Sequence, residues 1–278
     1  MKQVCRTSIL TVIAVMLLYA RLAAGASLDA PEHRGMRHVG KNVYVDPEMA
    51  PDQIQRLLRL VAKSRQRVSL FYEQLIARPN IVFCATADCY RSFGAVGLGY
   101  TDGTNVVISP YGQRVAIVAH ELAHVEFSAR VGGLAKVLER VPQWFDEGQA
   151  VMVSMAEEFS EEAWKTATSG GENAPPLSSL ESMPDWNRIT GENGEDMQLS
   201  YGTAKREVSR WFDQSGHNGF QALLSALSNN EAFGESYSRI EATHGRPVDS
   251  ASATSEPVEY FVMKDIPKAT SGFARAAW

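Results

Sequence analysis

The chain has 278 residues, of which 45% are hydrophobic and 21% are charged. This composition is typical of a globular protein, and the length suffices for one domain with room for a small subdomain. The formal net charge is −5 and the sequence has no long basic run, which excludes a nucleic-acid-binding protein because phosphate binding requires concentrated positive charge.

The first 26 residues are typical of a secretory signal peptide. Lys2 and Arg6 precede an apolar run at 8–20, and small residues ending at Ala26 follow as a cleavage site. The alternative is a retained membrane anchor, but the apolar run is shorter than the roughly 20 residues of a membrane span. Cleavage removes three basic residues and no acidic ones, so the mature chain carries a charge of −8. We therefore expect an exported protein, periplasmic or secreted, with no stable membrane span.

Two cysteines remain after cleavage, Cys84 and Cys89. An even, closely spaced pair in an oxidising compartment predicts a disulfide bond. A metal site is the alternative interpretation, but two thiolates need further ligands and none is adjacent in the sequence.

The first half of the chain predicts a small sheet and one long helix. The segment 27–40 is polar and is expected to be loose, and the alternating residues 42–47 predict a strand that ends at a proline. The apolar spacing over 50–76 predicts an amphipathic helix. Further strands are predicted at 80–85 and 105–110, and a glycine-rich loop or hairpin separates them.

The second half predicts a mainly helical structure. A central helix is expected at 112–129, and another begins near Pro142, whose fixed φ suits a first helical turn. The segment 160–199 is rich in Gly, Pro, Ser, Asn and Glu and predicts a largely irregular insertion with short helical pieces. Helical patterns return at 200–212 and then in two further short helices. The tail 246–278 is expected to be partly disordered.

Two histidines four residues apart lie at the centre of the predicted helix 112–129. His120, Glu121 and His124 belong to the stretch VAIVAHELAHVEF. A helix places residues i and i+4 on one face, so both imidazoles can bind one metal ion. A divalent metal lowers the pKa of a water to about 7, and a glutamate beside the pair can take and pass on its proton. The alternative is a pair of core histidines that hydrogen-bond to backbone carbonyls.

The third ligand decides the class of metal site. Phe127 and Arg130 stand where a metzincin has a glycine and a third histidine, which excludes that class. Downstream, residues 144–150 read Trp-Phe-Asp-Glu-Gly-Gln-Ala, which resembles the Trp-Leu-Asn-Glu-Gly-Phe-Ala signature of gluzincin aminopeptidases. The resemblance places Glu147 at the ligand position, 23 residues after His124, a slightly longer separation than in the aminopeptidases. The chain also resembles smaller exported peptidase-MA-like proteins.

This resemblance implies a zincin-like α+β fold, in which a small N-terminal mixed sheet packs on the metal helix and a mainly helical part follows. The domain is expected to span 27–245. The resemblance further implies one Zn²⁺ per chain, with His120, His124 and Glu147 as ligands. Glu121 is then the general base.

The resemblance also implies roles for residues around the metal ligands. Asp146 is expected to orient a ligating histidine, with helix capping as the alternative role. Tyr201 is expected to stabilise the oxyanion, with a buried structural tyrosine as the alternative. The strand that contains Val106, Val107 and Ile108 is expected to be an edge strand that binds extended peptide through main-chain hydrogen bonds, unless it is a core strand.

The predicted function is that of an exported zinc-dependent metallopeptidase acting on a peptide or protein substrate. The Gly-x-Met-Glu-Asn pattern, with which aminopeptidases capture a free substrate N-terminus, is absent from the sequence, so the resemblance does not imply aminopeptidase activity. A second hypothesis is a binding or scaffold protein of the cell envelope that keeps the fold without catalysis. The intact Glu121 argues against it, because a catalytically silent protein has no chemical need for the base.

Overall fold

The computed structural model describes residues 30–191 and 196–244. The predicted signal peptide, 1–26, and the predicted disordered tail from 246 onward lie outside the described residues. Within them the chain has an α+β fold, with a five-stranded mixed sheet and a mainly helical remainder. No helix in the described ranges is both long enough and apolar enough to cross a bilayer.

The strands all lie in the N-terminal half, and most of the helices follow the last strand. The strands are β1 (Arg37–Gly40), β2 (Val43–Val45), β3 (Asn80–Phe83), β4 (Gly99–Thr101) and β5 (Asn105–Ile108). The α-helices of the described ranges are α1 (Pro51–Tyr72), α2 (Ala87–Ser92), α3 (Val115–Val131), α4 (Leu134–Arg140), α5 (Gln143–Ser154), α6 (Glu161–Ala167), α7 (Met183–Thr190), α8 (Thr203–Ser228) and α9 (Phe233–His244). A short π-helical turn, Gln198–Gly202, precedes α8 directly.

The strand order is β1-β2-β3-β5-β4, with β2, β3 and β5 parallel and the two outer strands antiparallel to their neighbours. Successive side chains of a strand point to opposite faces. On β3, Ile81 belongs to the core shared with the helices, whereas Val82 packs with Tyr90 and Phe93 on the other face. Because both faces are covered, the inner strands are mainly apolar apart from the asparagines at the starts of β3 and β5, as expected for buried parallel strands.

Helix α1 confirms the predicted amphipathic helix but is shorter than 50–76. At its start the Ala50 N–H donates a hydrogen bond to the side-chain oxygen of Gln53 at 3.1 Å, which satisfies one free donor of the first turn. The helix ends at Tyr72 because Glu73 adopts a positive φ of 59°. The predicted strands at 80–85 and 105–110 are also confirmed in shortened form, and the glycine-rich segment between them is a hairpin formed by β4 and β5.

Two local predictions were wrong, and one short helix was not predicted. The segment 27–40 is not loose where it is described, since it contains a 3-10 turn at Pro31–Arg34 and strand β1; few apolar residues mark β1, which is held by pairing with β2. Helix α2 was not predicted because its six residues carry too little periodicity. The first of the two short C-terminal helices is the end of α8, which runs through a kink at Gly216.

The predicted insertion at 160–199 contains α6, α7 and short 3-10 turns, apart from 192–195, which the structure does not describe. It also fixes the start of α5. The N–H groups of Gln143 and Trp144 donate to the carbonyls of Glu181 and Leu180 at 2.9 and 3.0 Å. These bonds satisfy donors that every helix start leaves free.

The predicted disulfide between Cys84 and Cys89 is present. It joins the residue that follows β3 to helix α2. Cys84 is fully buried in the small core on the outer face of the sheet.

Helix α3 is the centre of the molecule and confirms the helix predicted at 112–129. It packs against α1, α5 and α8, and β4 and β5 lie against it. Residues on all its sides are buried, as is typical of a core helix rather than a surface helix. The helix ends where Gly132 adopts a left-handed conformation with φ 111°.

Candidate metal centre

Two helices supply the predicted ligands. His120 and His124 lie one turn apart on α3, and Glu147 lies on α5, which crosses against α3. The three side chains are nearly buried, with 12%, 10% and 12% of their surfaces exposed. Among the described residues they form a group of potential metal ligands whose ligand atoms all lie within 4.8 Å of one another.

The position of Glu147 depends on a close approach between α5 and α8. At Gly148 a Cβ atom would lie 2.6 Å from the carbonyl oxygen of Ala204 and 2.7 Å from Val208. Only glycine permits this approach. Gly148 therefore serves the packing of α5, and through that packing it sets where the neighbouring Glu147 is presented.

The ligand atoms converge on one point. His120 Nε2 and His124 Nε2 are 3.0 Å apart, and Glu147 Oε2 lies 3.2 Å from the former and 3.6 Å from the latter. Glu147 Oε2 is buried and has no hydrogen-bond partner. Buried carboxylate oxygens are normally satisfied, so an oxygen without a hydrogen-bond partner that faces two imidazole nitrogens fits a position for a bound cation.

The three separations lie within about 0.3 Å of the edges of a tetrahedral coordination polyhedron. A tetrahedral ion with bonds of about 2.0–2.2 Å separates its nitrogen and oxygen ligands by about 3.3–3.6 Å. The observed separations are 3.0, 3.2 and 3.6 Å. Two neutral imidazoles and a carboxylate also form a common donor set for divalent metals. The residues present therefore fit a metal ion.

Two neighbouring side chains lie against the candidate ligands. Asp146 Oδ2 lies 3.0 Å from Nδ1 of His124, a close approach that is not aligned as a hydrogen bond. Gln143 donates a hydrogen bond from Nε2 to Oε1 of Glu147 at 2.9 Å, so the other carboxylate oxygen, Oε2, faces the histidines. Asp146 was predicted from the sequence, whereas Gln143 was not. Gln143 lies four residues before Glu147 on the same helix, a spacing that places the two side chains on one face.

The electrostatics of the group favour positive charge. Burial lowers the pKa of His124, but the carboxylates of Asp146 and Glu147 outweigh burial and raise it well above its usual value. Burial raises the pKa of Glu147, but the two histidines outweigh burial and lower it. Three carboxylates, those of Glu121, Asp146 and Glu147, surround two imidazoles, so a bound cation reduces a net negative charge.

Glu121 lies under the outer strand of the sheet. A Cβ atom at Gly99 would be 2.6 Å from Glu121 Oε1 and 2.7 Å from its Cγ, so β4 rests on this glutamate. Glu121 is 8% exposed, and burial raises the pKa of its carboxyl. Gly99 was not identified from the sequence, because its role follows from a contact between a strand and a helix.

The prediction that the strand of Val106, Val107 and Ile108 is an edge strand was wrong. This strand is β5, which is paired with β3 on one side and with β4 on the other. Its hydrogen-bonding groups are therefore already used, and all three side chains are fully buried. Among the described strands, β4 is the outer strand on this side, because the hairpin folds it beyond β5.

Tyr201 lies beside the ligand group. Its ring centroid is 6.3 Å from that of His120, and it packs against Phe159 and Trp186 at 5.4 and 4.8 Å. Burial raises the pKa of the Tyr201 hydroxyl well above its usual value, so the hydroxyl keeps its proton at neutral pH. The residue belongs to the π-helical turn Gln198–Gly202, a local geometry that is frequent at functional sites.

In comparisons with known proteins, no family model matches the chain and no curated protein matches its sequence.

Proposed function

We propose that this chain is an exported, zinc-dependent metallopeptidase of the gluzincin type with a zincin-like fold. One observation carries the proposal: the convergence of His120, His124 and the unpartnered buried oxygen of Glu147 on a single point. Zinc is the metal of choice because three protein ligands drawn from histidine and glutamate, with one position left open, are typical of catalytic zinc. The motif that resembles gluzincin peptidases supports the same assignment.

The side chains around the ligands suit peptide hydrolysis. When bound, zinc supplies Lewis acidity that polarises a carbonyl and acidifies a water. The carboxylate of Glu121 takes a proton from the attacking water and later delivers it to the leaving amine nitrogen. The hydroxyl of Tyr201 donates a hydrogen bond to the developing oxyanion, a contribution of several kcal/mol in enzymes that use such donors. Asp146 and Gln143 hold two of the ligands in orientation.

Strand β4 is the proposed binding edge for an extended substrate. Among the described strands it pairs only with β5, so its outer main-chain groups are available to a peptide. The contact between Gly99 and Glu121 means that a peptide added along this edge lies next to the proposed base. In this proposal β4 takes the role that the sequence had suggested for β5.

Export of the protein is part of the proposal. It rests on the signal-like segment 1–26 and is consistent with the disulfide between Cys84 and Cys89, since such bonds persist in oxidising compartments.

The test is hydrolysis of a quenched-fluorescent peptide library by the zinc-loaded mature protein and by Glu121→Gln. We expect the variant to keep its zinc and its fold while the rate falls by about 10²–10⁴, the usual contribution of a general base. Glu139→Gln, at an exposed glutamate of α4, is the matched control and is expected to retain full activity. Equal turnover by wild type and Glu121→Gln would contradict the enzymatic proposal.

A further inference from the structure

A cavity of about 370 Å³ lies on the side of α3 opposite the metal ligands. Leu122 and Glu126 of α3 line it, together with Val68 of α1. Successive residues of a helix are rotated by about 100°, so Leu122 faces about 200° away from His120. The cavity is therefore separate from the proposed catalytic site, and its volume falls within the range of small-molecule pockets, about 300–1,000 Å³.

Three cationic side chains from three different segments line this cavity. Lys41 lies in the turn between β1 and β2, Arg65 on α1, and Arg78 in the loop before β3. Within 30–191 and 196–244, none of the three has a carboxylate within ion-pair distance. The guanidinium groups of Arg65 and Arg78 donate only to main-chain carbonyls.

Neither of the two glutamates that line the cavity forms an ion pair with its three cations in the described residues. Glu126 is paired with Arg130 and accepts hydrogen bonds from the N–H groups of Ile76 and Ala77 at 3.1 and 3.0 Å. Glu73, whose side chain is largely exposed, lies 3.3 Å from His217. With three cationic side chains against two carboxylates, one of which is paired with Arg130, the cavity keeps a net positive charge.

The cavity holds two positively charged guanidinium groups, those of Arg65 and Arg78, near each other. Burial lowers the pKa of the Arg65 guanidinium, and the neighbouring charge of Arg78 lowers it further. A half-buried cation beside a second cation is costly in the absence of a counter-ion. The chain as a whole is acidic, with a net charge of −5, so this local excess of positive charge runs against the overall composition.

We propose that the cavity is a binding site for a small oxyanion ligand, one that carries carboxylate or phosphate groups. Arg65 and Arg78 bind the oxyanion through charge-assisted hydrogen bonds, and Lys41 adds a third positive charge at the rim. The apolar side chains of Val68 and Leu122 accommodate the carbon skeleton of the ligand.

The test is isothermal titration calorimetry of the mature protein with inorganic phosphate and, separately, with succinate, at low ionic strength. We expect saturable binding of at least one of the two anions, and the pair of titrations distinguishes a phosphate from a carboxylate ligand. Arg65→Gln and Lys41→Gln are expected to weaken binding by about tenfold or more, the loss expected when a charged contact is removed. Both variants leave the metal ligands in place, so the loss locates the anion away from zinc.

Arg59→Gln is the matched control, because Arg59 is exposed on the same helix and does not line the cavity. It is expected to bind as tightly as the wild type. Lys41→Gln keeps the test valid if Arg65→Gln folds poorly, because the Lys41 side chain makes no hydrogen bond that the fold needs, and only its carbonyl accepts one from Arg65. Absence of saturable binding of both anions, or equal weakening in Arg59→Gln, would overturn the proposal. Neither outcome bears on peptide hydrolysis.

Discussion

Two buried glutamates, Glu126 and Glu147, lie on different helices and differ in how their oxygens are satisfied. Both oxygens of Glu126 have partners: the N–H groups of Ile76 and Ala77 and the guanidinium of Arg130. In Glu147 only Oε1 accepts a hydrogen bond, from Gln143, while Oε2 is buried without a donor and faces two histidines. The fold satisfies both oxygens of the first carboxylate, whereas Oε2 of the second faces only the two histidines, with which it could bind a metal ion.

Burial alone therefore does not distinguish a structural carboxylate from a functional one in this protein. The side chains are similarly hidden, with 4% of Glu126 and 12% of Glu147 exposed. The two carboxylates differ in the number of their hydrogen-bond donors. A buried carboxylate oxygen without a donor lowers the stability of the fold unless another interaction compensates for it. Isosteric substitutions at the two sites separate these roles directly.

The largest effect on stability is expected for Glu126→Gln. The substitution leaves the charge of Arg130 without a carboxylate and places an amide donor against main-chain donors. Breaking a buried pair in this way lowers the free energy of unfolding by about 3–5 kcal/mol. Urea denaturation measures the free energy of unfolding. A decrease below about 1 kcal/mol would show that the Glu126–Arg130 pair does not stabilise the fold.

Glu147→Gln is expected to act on the metal instead. The free energy of unfolding of the metal-free protein changes less than in Glu126→Gln, because Oε2 has no hydrogen bond to lose and only its ion pairs with the two histidines are removed. Zinc affinity falls by more than about 100-fold, since changes in the layer behind the ligands already cost 10–100-fold. Competition with a chromophoric chelator measures the affinity. If metal-free Glu126→Gln and Glu147→Gln were destabilised equally, the assignment of a structural role to the first glutamate and a metal-binding role to the second would be contradicted.

A smaller effect on the metal is expected for Gln143→Leu. Loss of its hydrogen bond frees Oε1 of Glu147 and allows the carboxylate to rotate, so zinc affinity is expected to fall by about 10–100-fold. Gln149→Leu is the matched control: Gln149 is buried on the same helix, but its side chain accepts from Tyr72 and makes no hydrogen bond to a ligand. Zinc affinity equally reduced in both variants would assign the effect to general packing of α5.

The smallest expected effect is on stability and concerns a third carboxylate, that of Glu207, which is half-buried. Burial raises its pKa, but hydrogen bonds from Arg210 and Tyr237 outweigh burial and lower it. Because the folded-state pKa lies below the unfolded value of about 4.3, the stability from Glu207 is complete above that pH and lost as pH falls through the folded-state pKa.

We therefore expect Glu207→Gln to weaken the acid dependence of unfolding below about pH 4.3. At neutral pH the loss should be about 1 kcal/mol or less, given solvent screening. Thermal melts at pH 3 to 7, in steps of about one unit, measure this dependence. A wild type and variant with parallel pH profiles would contradict the role assigned to the Arg210–Glu207–Tyr237 contacts.

Two of the three candidate ligands were predictable from the sequence because helical geometry fixes their relative position. A spacing of four brings His120 and His124 to one face of α3 whatever the rest of the fold does. Glu147 was reached only through a resemblance to a known motif, since 23 residues and helix α4 separate it from His124. Its placement depends on the close approach of Gly148 to α8, which periodicity does not encode.

The order of the strands was not predictable in the same way. The apolar residues of β5 indicate burial, but they do not determine which strand pairs with β5 on either side. The glycine-rich segment was predicted only as a loop or hairpin, so the three-residue strand β4 was not placed in the sheet and the edge was assigned to β5. The contact between Gly99 and Glu121 and the cationic cavity behind α3 follow from packing between distant segments, and a single sequence carries no direct signal for either.

The most direct test of the metal centre is the zinc content of the purified mature protein after reconstitution and exhaustive dialysis. The proposed site predicts about one zinc per chain in the wild type and none in a variant that carries both His120→Ala and His124→Ala, with folding of the variant confirmed by circular dichroism. A wild type that retains no zinc, or a folded double variant that retains as much as the wild type, would contradict the assignment of His120, His124 and Glu147 as ligands.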